Sequence, residues 1–148
     1  VSSRKHSMRP ITVGEAEYVA HRLVKEMMDY GEPMGDFMTR YPNKLESCLE
    51  QPFATFGGEE LYPTLLDKAV LLFYLVIKNH PFENGNKRMA VMLMLFFLFK
   101  NGKFSTVTPD ALYDLALIVA KSDASIEEQL PIIQDALKDF IVDSIASR

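Results

Sequence analysis

Residues 80–88, HPFENGNKR, bring together side-chain types that act on phosphate groups. The stretch contains a histidine, a carboxylate, two amides, a glycine and two cations, and it lies between two very apolar segments. A helix starting here offers unpaired backbone N–H groups and a partial positive charge, which suit an anion. Gly85 lets the backbone approach a ligand closely, and Lys87 and Arg88 add full charges. The pattern predicts a phosphate site formed by Gly85, Asn86, Lys87 and Arg88.

His80 precedes this phosphate site and is of the side-chain type that accepts a proton near neutral pH. If a protein hydroxyl were presented there, His80 could remove its proton while the oxygen attacks phosphorus. A divalent metal that bridges phosphates prefers hard oxygen ligands, and Glu83 and Asn84 are the candidates in this stretch. Taken singly, the same residues also fit structural roles, such as a histidine at a helix C-terminus, solvated cations and a turn glycine.

Capping residues, prolines and apolar periodicity predict that helices surround this stretch. Thr12 with Glu15 and Ser125 with Glu128 form capping boxes, and Pro109 follows Thr108 as a typical first helical residue. The predicted helices cover about residues 12–30, 42–49, 63–80, 84–102, 108–121 and 125 to the end of the chain. We therefore expect an all-α fold in which the two most apolar helices are central and meet at residues 80–88.

Residues 49–63 break the helical pattern, because they combine aromatic side chains with turn residues and lack a period of 3.6. This segment predicts an extended excursion or a small β-hairpin. No repeat or break in composition divides the 148 residues, of which 48% are hydrophobic, so residues 1–148 are expected to form a single domain.

Charge and composition exclude several classes of partner and compartment. A formal charge of -4 and a pI near 5.4 argue against nucleic acid, although a small nucleotide needs only a local cationic pocket. The longest apolar run, residues 89–99, would span about 16 Å as a helix and is too short for a bilayer of roughly 30 Å. The single cysteine, Cys48, has no partner for a disulfide within the chain, which favours a reducing cytoplasm. Its side chain is expected to be buried as a small hydrophobic group.

The stretch HPFENGNKR resembles the signature of the Fic/Doc family, HxFx[DE]GNxR, through His80, Phe82, Gly85, Asn86 and Arg88. The resemblance covers about residues 45–102. It implies a Fic-type helical bundle that uses ATP and Mg²⁺ to transfer part of the nucleotide to a hydroxyl of a target protein, most often as AMP.

The resemblance also implies roles for individual residues. His80 would be the general base, Phe82 the anchor of the loop, Gly85 with Asn86 the anion nest, and Lys87 and Arg88 contacts to phosphates. Residues 49–63 would be a flap along which the target protein docks like an added strand. The flap residues expected to contact the target are Pro52, Phe53, Ala54, Thr55, Phe56, Gly57 and Gly58. In the alternative interpretation, the aromatic side chains of this segment cover the core and do not contact a target.

Departures from the family pattern point to a subtype. Lys87 replaces a second glycine and Val91 replaces a further arginine, as in the Doc branch, which implies a kinase that phosphorylates a translation factor, elongation factor Tu. AMP transfer stays an alternative. Asn84 stands where the family has Asp or Glu, so it is a weak metal ligand, and Glu83 is expected to point another way. A non-catalytic nucleotide-binding module is therefore a third possibility.

Many family members carry an inhibitory helix with the pattern [ST]xxxE[GN]. The nearest match here, Thr55 with Glu59, falls in the flap and is followed by Glu60. The sequence therefore predicts no self-inhibitor of this kind. An active Doc-like toxin would then need a separate antitoxin as its partner.

Overall fold

The computed structural model describes residues 7–144, which form a mostly helical fold with two short antiparallel strand pairs. Helix α1 spans residues 13–27 and contains a π-helical stretch, Val19–Val24. The other helices are α2 (Pro42–Glu50), α3 (Leu65–Asn79), α4 (Asn86–Lys100), α5 (Pro109–Lys121) and α6 (Ile126–Leu137). The strands are β1 (Thr55–Phe56), β2 (Glu59–Glu60), β3 (Lys103–Ser105) and β4 (Ile141–Asp143). The expected all-α bundle with a short hairpin is confirmed.

Local capping explains where the helices begin. The capping boxes predicted at Thr12 and Ser125 are present, and the Thr108 side chain caps α5 before Pro109. Helix α3 has a capping box as well: the Thr64 hydroxyl accepts from the Asp67 N–H at 3.0 Å, and the Asp67 carboxylate accepts from the Thr64 N–H at 3.2 Å. Each box satisfies amides that the first helical turn leaves without partners.

Helices α3 and α4 form the centre of the fold and pack against each other. Helices α1 and α5 cover α4, and α2 and α6 cover α3, which explains why both central helices are apolar on nearly every face. The largest completely buried apolar side chains of the pair are Leu71, Phe73, Ile77, Met89, Leu93, Met94, Phe97 and Leu98. The covering helices therefore hold the connection between α3 and α4 at one end of the pair.

The chain after α6 departs from the sequence prediction. The final helix was expected to continue to the end of the chain, but it ends at Leu137, and Ile141–Asp143 forms β4, which pairs antiparallel with β3. The prediction is wrong there because this strand depends on a partner about 40 positions earlier in the chain, which local periodicity does not report. Residues 145–148 lie outside the described residues.

Within residues 7–144, none of the helices has the length and apolarity needed to cross a membrane. The apolar length of α4 is instead buried between neighbouring helices of the fold.

Cys48 provides a test of the packing between α2 and α3. Its side chain is buried, as expected, and the Asn79 side-chain amide lies 4.0 Å from the sulfur. Burial raises the pKa of the Cys48 thiol to about 11. We expect the native protein to react with a disulfide reagent at pH 8 at least about 100-fold more slowly than the protein unfolded in guanidinium, because the thiolate is the reactive form. Comparable rates in the two states would contradict this packing.

Candidate functional site

Residues 80–86 connect α3 to α4 through two left-handed backbone positions. His80 ends α3 with φ 50° and ψ 61°, and Gly85 precedes α4 with φ 74° and ψ 20°. Pro81 prevents α3 from continuing, because it disfavours helical geometry at His80. The left-handed conformation is easy for glycine, but it costs about 1–2 kcal/mol for histidine. The chain therefore keeps a strained histidine where glycine would be less costly.

The His80 side chain is exposed, and its Nδ1 lies 3.2 Å from the Lys78 carbonyl oxygen. In the neutral tautomer with hydrogen on Nδ1, this nitrogen donates to the carbonyl, and Nε2 carries the free lone pair. The backbone contact thus favours the neutral ring form in which Nε2 carries the lone pair.

The Asn86 side chain closes the loop between the helices. Its Oδ1 accepts from the Phe82 N–H at 2.9 Å, and its Nδ2 donates to the Phe82 carbonyl at 3.0 Å. Phe82 is buried, and its ring centroid lies 6.0 Å from that of Phe37. The structure therefore places Phe82 as an anchor in the core, and it commits the Asn86 amide group to the loop. What Asn86 still offers an anion is its backbone N–H.

The N-terminus of α4 supplies donors for an anion. The first intrahelical bond of α4 runs from the Met89 N–H to the Gly85 carbonyl at 2.9 Å. The amides of Asn86, Lys87 and Arg88, one turn earlier, therefore have no acceptor within the helix. Together with the helix dipole and the half-buried Lys87 side chain, they form the cationic end of α4 that the sequence predicted.

Residues 28–36, which we call the covering segment, lie against this end of α4 and bind Arg88. The Arg88 side chain is only 3% exposed, and its Nη1 donates to the carbonyls of Met28 at 3.3 Å, Asp29 at 3.2 Å and Glu32 at 2.6 Å. Its Nη2 lies 3.8 Å from the Glu32 carboxylate. In this structure Arg88 thus holds the covering segment through Nη1, whereas its Nη2 faces the Gly85 turn, 3.2 Å from the position that a β-carbon on Gly85 would take.

The covering segment also contacts the loop itself. A β-carbon added to Gly85 would lie 2.1 Å from the Met34 sulfur, and the Gly35 N–H donates to the Asn84 Oδ1 at 2.7 Å. A β-carbon added to Gly35 would lie 3.2 Å from both the Asn84 Oδ1 and a Glu83 carboxylate oxygen. Glu83 was expected to point away from Asn84, and this expectation is wrong. Both side chains instead approach Gly35.

The positions of Glu83 and Asn84 indicate which oxygens could bind a metal ion at this site. One carboxylate oxygen and one amide oxygen suit Mg²⁺ that takes its remaining ligands from phosphates and water. Among residues 7–144, no group of three or more His, Cys, Asp or Glu side chains is arranged to hold a metal ion. The available oxygens thus fit a metal that arrives with a nucleotide.

A cavity of about 210 Å³ lies beside Arg88 and the covering segment. Its charged lining combines the cationic residues Lys25 and Arg88 with the acidic residues Asp29, Glu32 and Asp36. Cavities that enclose small-molecule ligands usually measure about 300–1,000 Å³. A nucleotide reaching the α4 N-terminus through this cavity therefore requires the covering segment to shift.

Tyr30 anchors the covering segment on α5. Its hydroxyl donates to the Asp110 carboxylate at 2.5 Å, and its ring packs edge-on against Tyr113 with 4.9 Å between centroids. Burial and this hydrogen bond to Asp110 raise the pKa of Tyr30 to about 12. The backbone turns here through positive φ angles of 51° at Tyr30 and 70° at Gly31. The segment is therefore held at both Arg88 and Asp110.

The predicted flap divides into a packed base and an exposed hairpin. Pro52 is buried, and the Phe53 ring packs edge-on against Phe97 with 6.1 Å between centroids, so these side chains cover the core. Ala54 leads into β1, and Gly57 and Gly58 turn the chain with φ of 62° and 84°, as a tight hairpin requires. The exposed side chains of the hairpin are those of Thr55, Phe56, Glu59, Glu60 and Leu61, and Phe56 is 80% exposed.

Lys68 is the residue at the base of the hairpin that sequence reasoning missed. It is buried in the first turn of α3, and its ammonium donates to the carbonyls of Pro52 and Tyr62 and to the Glu60 carboxylate. The one signal in the sequence was a lysine that directly precedes the long apolar run of α3, residues 69–77. Lys68 and His80 are twelve positions apart on α3, about 18 Å along its axis, so the structure does not bring the base of the hairpin beside His80.

Comparison with known proteins shows which proteins this chain is similar to. The model of the Fic/DOC family matches residues 10–98 of the chain. The chain is also similar to "Toxin Doc" of Mycolicibacterium smegmatis (strain ATCC 700084 / mc(2)155), with 37% identity over 68 residues. That alignment covers 46% of this chain and 52% of the toxin, so the chain matches about half the length of that relative.

The strained backbone of His80 leads to a prediction on stability. We expect His80→Gly to have a free energy of unfolding about 1 kcal/mol higher than His80→Ala, because glycine adopts φ 50° without the steric cost of a β-carbon. Urea denaturation of both variants measures the difference. The same pair of substitutions at exposed Asp114, in the interior of α5, is the control, and there glycine should be the less stable variant. A less stable His80→Gly would contradict the left-handed assignment.

Proposed function

The chain belongs to the Fic/DOC family, and from this premise we propose that it is a Doc-like transferase that uses ATP to phosphorylate a hydroxyl of a target protein. The observation that carries the proposal is the exposed His80 imidazole, five positions before the Gly85 turn that opens the amide-rich start of α4. The similar toxin supports the further proposal that this chain is the toxin of a toxin–antitoxin pair, acting in the cytoplasm and restrained by a separate antitoxin.

In the proposed reaction, Nε2 of His80 accepts the proton of the target hydroxyl as its oxygen attacks the γ-phosphorus of ATP. A new P–O bond forms, the bond to the bridging oxygen breaks, and ADP leaves with the electron pair. The amides at the start of α4 and the Lys87 ammonium stabilise the phosphate oxygens, because positioned donors and charges contribute most to phosphoryl transfer. Glu83 and Asn84 would hold Mg²⁺, which neutralises phosphate charge when bound.

Two positions favour phosphate transfer over AMP transfer. Lys87 places a cation at the second position of α4, where AMP-transferring relatives usually have glycine. Val91, at the position of a further arginine, is completely buried in the core, so an arginine could not take its place without repacking α4. Elongation factor Tu is the target that the Doc resemblance suggests.

AMP transfer by the same histidine is the second candidate, because the anion nest and the base would serve either phosphate of ATP. Asn84 favours a third candidate, a nucleotide-binding module with weakened catalysis, since a neutral amide attracts Mg²⁺ less strongly than a carboxylate. In all three candidates the nucleotide binds at the start of α4.

Labelled ATP distinguishes these candidates. We expect purified protein to transfer label from γ-labelled ATP, and not from α-labelled ATP, to a protein in a lysate or to elongation factor Tu. The His80→Asn variant should lose this transfer by about 10²–10⁴-fold, because it removes the base, whereas asparagine tolerates the left-handed backbone. Nucleotide binding by calorimetry should be nearly unchanged in that variant. Label from the α position would establish AMP transfer, and no transfer with several divalent metals would support the binding module.

Asn84 provides a test of metal binding. We expect Asn84→Asp to lower the Mg²⁺ concentration needed for half-maximal binding of a non-hydrolysable ATP analogue by about tenfold, because a carboxylate adds charge to the metal site. Calorimetry at a series of Mg²⁺ concentrations measures this without turnover. Glu83→Gln should shift the requirement in the opposite direction, and Glu46→Gln, on the exposed face of α2, is the matched control. An unchanged Mg²⁺ requirement in both site variants would exclude these residues as ligands.

A further inference from the structure

Lys68 is a charged residue that is almost completely buried, and its burial needs an explanation. Its side chain is 1% exposed in the first turn of α3. A lysine ammonium has three N–H donors, and removing it from water is costly unless those donors are paired. The Pro52 carbonyl at 3.3 Å, the Tyr62 carbonyl and the Glu60 carboxylate provide three acceptors. The ammonium also lies 5.0 Å from the centroid of the Phe53 ring.

The partners of Lys68 come from both sides of the hairpin. Pro52 and Phe53 precede β1, whereas Glu60 lies in β2 and Tyr62 follows it. The two strands pair over only two residues each, Thr55 with Glu60 and Phe56 with Glu59, with one further bond from the Leu61 N–H to the Ala54 carbonyl. A hairpin this short is at best marginally stable alone. Lys68 therefore binds both ends of the hairpin, whose few backbone hydrogen bonds do not stabilise it alone.

We infer that Lys68 is a positioning residue, which closes the hairpin β1–β2 into the shape on which a target protein docks. The docking role rests on the proposed function, while the closing of the hairpin rests on the contacts of Lys68 alone. Because Lys68 belongs to the helix that ends at His80, the same rigid element fixes the hairpin at its start and the histidine at its end. Lys68 sets where the hairpin is held, and it does not touch the reacting groups.

Hydrogen exchange in the full chain tests the closing of the hairpin. We expect Lys68→Met to accelerate amide exchange in residues 54–61 by about tenfold or more and to leave α4 unchanged, because the hairpin would open locally. Lys100→Met is the matched control: Lys100 is also largely buried, and it binds the Pro10 carbonyl and the Glu15 carboxylate, neither of which belongs to the hairpin. It should leave exchange in residues 54–61 unchanged.

A second variant keeps the inference testable if Lys68→Met fails to fold. Glu60→Gln alters a partly exposed side chain and leaves both carbonyl acceptors of Lys68 in place, so it should accelerate hairpin exchange about threefold. Hairpin exchange equal to that of the unmodified protein in a folded Lys68→Met, or in Glu60→Gln where Lys68→Met does not fold, would overturn the inference. Acceleration of α4 to the same extent as the hairpin would also overturn it, because that result indicates general destabilisation.

Kinetics of phosphate transfer test the docking role. We expect Lys68→Met to raise KM for the target protein about tenfold with kcat nearly unchanged, because a misplaced hairpin weakens docking and leaves the chemistry intact. A merely structural defect would reduce the active fraction and lower kcat at constant KM. A lowered kcat with unchanged KM would overturn the docking role. No transfer by the unmodified protein would refute the proposed function, whereas the exchange result for the hairpin would stand.

Discussion

The two hydrogen bonds between the Asn86 side chain and the backbone of Phe82 hold together the connection on which the candidate site depends. They pair both the backbone N–H and the backbone carbonyl of Phe82, so the loop keeps its shape while the Phe82 ring is buried against Phe37. They also fix the first residue of α4, and with it the direction of the free amides there. A buried amide with both groups satisfied specifies a loop more strictly than apolar packing alone.

Sequence patterns predicted the features that depend on near neighbours. The capping boxes at Thr12 and Ser125, the end of the central helix at His80 and the start of α4 follow from residues only a few positions apart. The hairpin was also predicted, because its glycines and aromatic residues lie together in the chain. Local chemistry determines such elements, and a single sequence contains it.

The features that the sequence did not reveal depend on distant parts of the chain. Arg88 was expected to contact phosphates, but its acceptors come from residues about 60 positions earlier, which no motif indicates. Strand β4 depends on β3, and the burial of Lys68 depends on acceptors at both ends of the hairpin. In each case the partner is reached only through tertiary folding, so residue type and local periodicity did not indicate the contact.

The bonding of Arg88 has an energetic consequence for an anion that binds through the Nη1 nitrogen of this guanidinium. Such an anion must displace three carbonyl oxygens from an almost dehydrated cation, so its binding is coupled to an unfavourable rearrangement of the protein. The observed dissociation constant then equals the intrinsic constant divided by the fraction of molecules already rearranged. If that fraction were about 1%, affinity would fall about 100-fold. Residues 28–36 thereby set the concentration at which such an anion becomes bound, although none of them carries a positive charge.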